Sequence, residues 1–194
     1  VTFIAPIVEG HGEVEAVPIL LRRIASDSGA PLAPRINPPI RIKSGSFLND
    51  EGYFARYIRI AAHKAAPENG AVLILLDCED DCPATLGPAL LSRARAVRAD
   101  VSYVVALAYR EFETWFIVAA RSLGGQCGLS RDILPPPDAE LFRDAKGWLG
   151  ERMNGSYDPV THQHQFARTF DLGQARASHS FNRLYGHVHR FLRM

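Results

Sequence analysis

Cysteine is scarce in this chain: only Cys78, Cys82 and Cys127 stand among 194 residues. They form neither a disulfide framework nor a CxxC pair for zinc or thioredoxin-like chemistry, and a reducing cytoplasm is the expected setting. Long hydrophobic runs are missing too. No stretch approaches the roughly 18 apolar residues of a transmembrane helix, and Val1 to Val8 lacks the basic region and cleavage site of a signal peptide. Neither export nor membrane insertion is expected. Lysine is nearly absent, with three residues beside nineteen arginines, and the net charge of +1 excludes a polycation that wraps nucleic acid wholesale.

What is present suits a folded protein, with 47% hydrophobic and 22% charged residues, enough to bury one good core. The charge is unevenly spread. From Arg143 onward there are eight basic residues, four acids and five of the seven histidines, whereas the preceding part is net acidic. The basic part is suited to approach phosphates.

Hydrophobic patterning predicts an alternation of strands and helices. Thr2–Val8, Ala71–Leu76 and Val101–Ala108 are short apolar runs of the kind buried on both faces of a sheet. Between them, apolar residues at helical spacing predict helices from about Val14 to Ile24, Tyr53 to Ala61 and Thr85 to Arg98. Arg35–Lys43 is a weaker extended segment, broken by Pro38-Pro39 and expected at an edge. This is the pattern of βαβ crossovers in a mostly parallel sheet flanked by helices. After Glu113 only helical patterns follow: Trp115–Leu123, then, beyond Pro135-Pro136-Pro137, Asp138–Met153, Thr161–Phe170 and Ser180–Leu192. The expected division is an α/β core over 1–120 and a helical C-terminal subdomain over 121–194 packed on it.

In such a sheet, functional groups collect beyond the carboxyl ends of the strands. Acids stand at three of them: Glu9 after the first strand, Asp77, Glu79, Asp80 and Asp81 after the Ala71–Leu76 strand, and Glu111 and Glu113 after the Val101–Ala108 strand. Carboxylates crowded at one edge repel one another unless a cation compensates, and oxygen-only ligands favour Mg²⁺ or Mn²⁺ over zinc. If the backbone stays extended, Asp77, Glu79 and Asp81 point the same way; the competing reading is a solvated acidic turn. Gly10 and Gly12 are expected to permit a tight turn and to let a phosphate approach. Glu9 is a candidate general base or metal ligand, against a carboxylate satisfied by the following helix N-terminus, and Glu13 a candidate supporting acid, against an ordinary residue of the first helical turn. Lys146 is a candidate to neutralise a phosphate. The pairs His162/His164 and His187/His189 do not share a helical face, which argues against a transition-metal site. Cys78 and Cys82 read as buried spacers, and Trp115, Phe116, Trp148, Phe166, Phe170, Phe181 and Phe191 mostly as packing residues.

The run Val8-Glu9-Gly10-His11-Gly12-Glu13, after an apolar strand and opening a helix, resembles the first motif of the Toprim domain, and Asp77-Cys78-Glu79 resembles its DxD motif. More closely still, the chain resembles a small bacterial Toprim-like family, domain of unknown function 4276. That likeness runs through EGxxE, the aspartate-rich strand end with Cys82-Pro83, Glu111-x-Glu113-x-Trp115, Tyr157-Asp158-Pro159, His162–Gln165 and Ser180-Phe181. Glu79 departs from the pattern as a longer ligand than aspartate.

The Toprim resemblance implies a Toprim-like fold in which Glu9, Asp77 and Glu79 bind Mg²⁺ and act on phosphodiester bonds. The expectation is a Mg²⁺- or Mn²⁺-dependent nuclease or phosphoesterase, in bacterial defence or DNA maintenance, acting on nucleic acid or a nucleotide-like phosphoester. Metal candidates are Glu9, Asp77, Glu79, Asp81, Glu111 and Glu113; Glu9, Glu13 and Lys146 would serve catalysis. The competing expectation is a non-catalytic binding or regulatory module that works with a partner. Such a partner would be an ATPase, since ATPases accompany Toprim nucleases and no GxxxxGK[ST] motif occurs here.

Overall fold

A computed structural model describes residues 2–193, so the outermost residues of the two expected segments, Val1 and Met194, lie outside the described residues. The first apolar run forms β1 (Phe3–Val8), every residue of it buried. It is followed by α1 (Glu13–Asp27), which ends just before Gly29 in the left-handed region. The weak segment pairs with β1 in two pieces, β2 (Arg35–Ile36) and β3 (Ile40–Arg41). Proline explains the gap. Pro6 of β1 and the Pro38-Pro39 pair have no N–H to donate; Pro6 falls between the paired stretches Phe3–Ile4 and Ile7–Val8, and Pro38-Pro39 between their partners Arg35–Ile36 and Ile40–Arg41.

Two helices follow, α2 (Ser44–Asn49), which the hydrophobic pattern does not announce, and α3 (Glu51–Ala65). The chain then alternates as expected through β4 (Ala71–Asp77), α4 (Pro83–Val97) and β5 (Ser102–Ala108). The five strands form a parallel sheet with β1 between the β2/β3 edge and β4, and β5 on the other edge.

Beyond β5 the helices are shorter than the periodicity predicts. Trp115–Leu123 divides into α5 (Thr114–Val118) and α6 (Ala120–Leu123), because Ala119 leaves the helical region at φ −95°, ψ 17°. Asp138–Met153 is not one helix: a single 3₁₀ turn at Ala139–Leu141 precedes α7 (Ala145–Arg152). Two helices agree closely, α8 (Pro159–Thr169) and α10 (His179–Leu192), joined by the short α9 (Leu172–Ala175). Each starts at an N-cap side chain: Asp158 accepts from Thr161 N, Asp171 from Gln174 N and Ser178 from Phe181 N.

The strand alternation divides the core in two. Ile4, Val8, Leu73, Leu75, Ala106 and Ala108 face α1 and the helices that follow β5, whereas Ala5, Ile7, Val72, Ile74 and Leu76 face α3 and α4. The first cluster therefore mixes residues from both sides of position 120, and its centre is aromatic: Phe112, Trp115, Phe116, Phe166, Phe170 and Phe181 are all fully buried. Phe191 is only partly buried, and Cys82, expected to be buried, is exposed at the N-cap of α4. Among the described residues no helix is long and apolar enough to cross a membrane.

Candidate functional site

Three parallel strands deliver their carboxyl ends to one edge, and a cleft of about 560 Å³ opens there. Its lining includes Glu9, Gly10, Glu13, Asp77, Glu79, Glu111, Glu113 and Lys146. Eight carboxylates and three cations (Arg110, Arg143 and Lys146) line it altogether, so the acidic imbalance noted in the sequence is concentrated in one place. Asp81 and Gly12 are not among the lining residues.

Glu9 follows β1 directly; its Oε1 accepts a hydrogen bond from Ser44 Oγ of α2, and its backbone N–H donates to Glu13 Oε2 at 3.0 Å. Glu13 is 3% exposed at the first turn of α1. Burial pushes its carboxyl up to about 7; hydrogen bonds from the backbone of Gly10 and Glu9 oppose this, while the charges of Glu113 and Glu9 add to it. Asp77 ends β4, and its Oδ1 accepts from Phe112 N at 2.8 Å. Desolvation, then repulsion from Glu13 and Glu113, holds Asp77 well above the usual carboxylate range.

The β5 side of the cleft is organised around Lys146, at the start of α7. Its Nζ donates to Glu111 Oε2 at 2.6 Å and lies 3.3 Å from Glu113 Oε2. Glu111 Oε1 also accepts from Ala145 N at 3.1 Å. Burial opposes the charge on Lys146, but Glu113, Glu111 and Asp77 more than compensate and raise its pKa. Glu113 is fully buried, and Tyr157 Oη and Gln163 Nε2 each donate to its Oε1 at 3.1 Å. Burial raises the Glu113 carboxyl, with Lys146 pulling the other way. Ser44, Arg110, Asp144, Tyr157 and Gln163 are parts of this site that sequence reasoning did not single out; Tyr157 and Gln163 are the plainest case. They lie 44 and 50 residues from Glu113, and no local spacing joins them to it.

The loop after β4 does not stay extended. Glu79 adopts φ 44°, in the left-handed region, so the alternation that would aim Asp77, Glu79 and Asp81 the same way ends at the strand terminus. Arg110, at φ 68°, reaches across, donating to Glu79 O at 2.9 Å and pairing with Asp80. Asp144, the N-cap of α7, stands at φ 58°. Three non-glycine residues in a costly conformation thus border one cleft, a clustering typical of sites that must hold a set geometry.

The glycines act otherwise than a tight-turn reading predicts. Gly12 sits at φ −67°, an ordinary helical value, but a Cβ there would stand 2.3 Å from Pro159 O and 2.4 Å from Gln163 Oε1. The missing side chain seats α8 against the start of α1. At Gly10 a Cβ would come within 2.9 Å of Glu13 Oε1, so this glycine leaves room for the Glu13 carboxyl to fold back.

Among the described residues no three His, Cys, Asp or Glu side chains are grouped as ligands of a single metal ion. The oxygen donors present fit a hard cation that takes one or two carboxylates and keeps its waters; Gln163 Oε1 is buried beside the cleft with no hydrogen-bond partner among the described residues, and Glu113 Oε2 has only its ion pair with Lys146. No curated protein and no solved structure matches the chain. The stretch that builds the cleft, from Glu9 to Gln163, lies wholly within residues 8–189, which match the family model described as Domain of unknown function (DUF4276); the chain belongs to that family.

Proposed function

We propose that this cleft hydrolyses phosphoester bonds with the help of Mg²⁺ or Mn²⁺, as a Toprim-like nuclease or phosphoesterase whose substrate is nucleic acid or a nucleotide-like phosphoester. The observation that carries the reading is the imbalance of carboxylates over cations in one cleft, where desolvation and mutual repulsion hold Glu13 at about 7 and Asp77 well above its ordinary value. A cation relieves that repulsion. Asp77 and Glu9 would hold it, with Glu79 at the rim. Bound there, a divalent ion supplies charge stabilisation at a phosphoryl oxygen and a water of lowered pKa.

The chain's own groups supply the rest. Glu13, poised near neutrality, takes up or releases a proton at its carboxyl. Lys146, fixed by Glu111 and Glu113, presents a positive charge to a phosphate. Arg110 and Arg143 at the rim, now paired with Asp80, are placed to meet further phosphates.

A second reading has its own support. Lys146 is already neutralised by two carboxylates, and among the described residues no three acids are grouped around a metal position. Both features suit a non-catalytic module that binds a phosphorylated ligand or metal and works with a partner such as an ATPase. Titration of Mg²⁺ and Mn²⁺ with DNA, RNA and a nitrophenyl phosphodiester, in wild type and Asp77→Ala, separates the two. Metal-dependent hydrolysis lost in Asp77→Ala supports the hydrolase. A metal-induced rise in melting temperature without turnover favours the module. Melting insensitive to metal, or shifted equally in the variant, removes the metal site from both.

A further inference from the structure

Away from the cleft, and sharing no lining residue with it, a groove of about 450 Å³ runs along the free edge of β5. Among the described residues β5 pairs only with β4, so its outer row of N–H and C=O groups is open. Natural edge strands are usually blunted by lysine, proline or a bulge. β5, Ser-Tyr-Val-Val-Ala-Leu-Ala, has none of these.

The two walls of the groove differ in chemistry. On the face toward α4 stand Gly87, Pro88 and Leu91, apolar and small; on the face toward α10 stand His179, Arg183 and His187. The one acid beside them, Glu140, is spent on the start of α10, accepting from Ser178 Oγ, His179 N and Ser180 N, each at 2.7 Å. Two further details mark the groove as a binding surface. Tyr103 lines it and is 9% exposed, yet its hydroxyl is buried with no hydrogen-bond partner among the described residues. Leu141, at the mouth, is 56% exposed.

We propose that this groove binds an extended peptide segment of a partner protein by adding it as a sixth strand beside β5. Successive side chains of a strand point to opposite faces, so the added strand meets the apolar wall with every second residue and, with the others, the polar wall whose fixed positive charge is Arg183. The segment it selects alternates apolar with acidic residues, and backbone pairing supplies the affinity. A second copy of this chain is a poorer occupant, because its own β5 lies recessed between α4 and α10, with Ala106, Leu107 and Ala108 buried.

The probes are three capped seven-residue peptides, matching β5 in length: alternating valine and glutamate, alternating valine and lysine, and the first with alternate amides N-methylated. Fluorescence anisotropy with the full chain should show saturable binding of the acidic peptide, at least tenfold weaker binding of the lysine peptide and loss on N-methylation. Two variants test the placement. A Cβ at Gly87 points at Leu107 Cδ1 from 3.8 Å, so Gly87→Leu fills the groove in a helix that tolerates the change, and it should abolish binding. Arg183 is exposed, so Arg183→Glu leaves the fold intact, and it should invert the preference between the acidic and lysine peptides. Hydrogen exchange of the β5 amides should slow on binding. The proposal is overturned by the absence of saturable binding, by equal binding of the lysine or N-methylated peptide, or by binding that survives both variants. A dimer in sedimentation that Gly87→Leu dissociates also overturns it, since the groove then belongs to a second copy.

Discussion

Replacing Glu13 by glutamine removes a charge that the fold finds costly, and the size of the effect follows from the structure. The carboxyl is 3% exposed and held at about 7, against 4.5 for an ordinary glutamate. A carboxyl whose pKa is higher in the folded than in the unfolded state takes up protons on folding, so stability is greatest below 4.5 and falls as pH rises toward 7. At 1.36 kcal/mol per pH unit of difference, the cost above pH 7 is about 3 kcal/mol. Glutamine escapes it but accepts less strongly from the Glu9 and Gly10 backbone, a loss of about 1 kcal/mol at every pH. In urea denaturation with EDTA present, Glu13→Gln should therefore be about 1 kcal/mol less stable than wild type near pH 4.5 and about 2 kcal/mol more stable at pH 8. Because the Glu13 charge also helps to raise the Asp77 carboxyl, its removal eases the ionisation of Asp77 and adds to the gain at pH 8. If the difference between the two proteins is the same at both pH values, Glu13 does not titrate near neutrality and the account of the crowded cleft fails.

Lys146→Met strips Glu113 of its nearest cation; buried pairs broken this way lose 3–5 kcal/mol, but Lys146 is 43% exposed, so about 2 kcal/mol is expected at pH 8. The loss should shrink as pH falls, because burial raises the Glu113 carboxyl and its protonation removes the unpaired charge, and Glu113→Gln in the same chain should recover part of it, as equilibrium unfolding would show. Gly12→Ala places a methyl group 2.3 Å from Pro159 O and should cost about 2 kcal/mol by thermal melting, whereas Gly29→Ala, with nothing near its Cβ, pays only for its left-handed backbone. Asp158→Ala removes the N-cap of α8 and should cost about 1 kcal/mol, with faster exchange of the Thr161 amide as the local readout.

The sheet was readable because β1, β4 and β5 are unbroken apolar runs, and a parallel arrangement follows from their alternation with helices. The acids at the strand ends could be placed together by the same reasoning: Glu9, Asp77, Glu111 and Glu113 need only the rule that parallel strands finish at one edge. What escaped depends on tertiary contact. Glu79 has the spacing of an aligned ligand, but the turn that Arg110 clamps rotates it out of register. Tyr157 and Gln163 reach Glu113 only because Gly12 allows α8 to close on α1, which no window of sequence displays. α7 occupies a fraction of the periodic stretch in which it lies, since Asp144 starts the helix from a left-handed conformation.

The seating of α1 has a consequence for the order in which the chain becomes a protein. This helix packs against α8 and α10 as well as the sheet, and it is tied to them by Arg23, which donates to Ala167 O, and Asp27, which accepts from Tyr185 Oη, partners 144 and 158 residues away. During synthesis the βα unit carrying Glu9 and Glu13 leaves the ribosome long before these helices exist. The flank that α8 and α10 will cover stays bare until they arrive, a window in which aggregation competes with folding and holding chaperones find a target. Closure is late for the same reason, because contacts so distant along the chain are slow to form. The acidic cleft is thus finished only when α8 docks, and a nascent chain cannot display it prematurely.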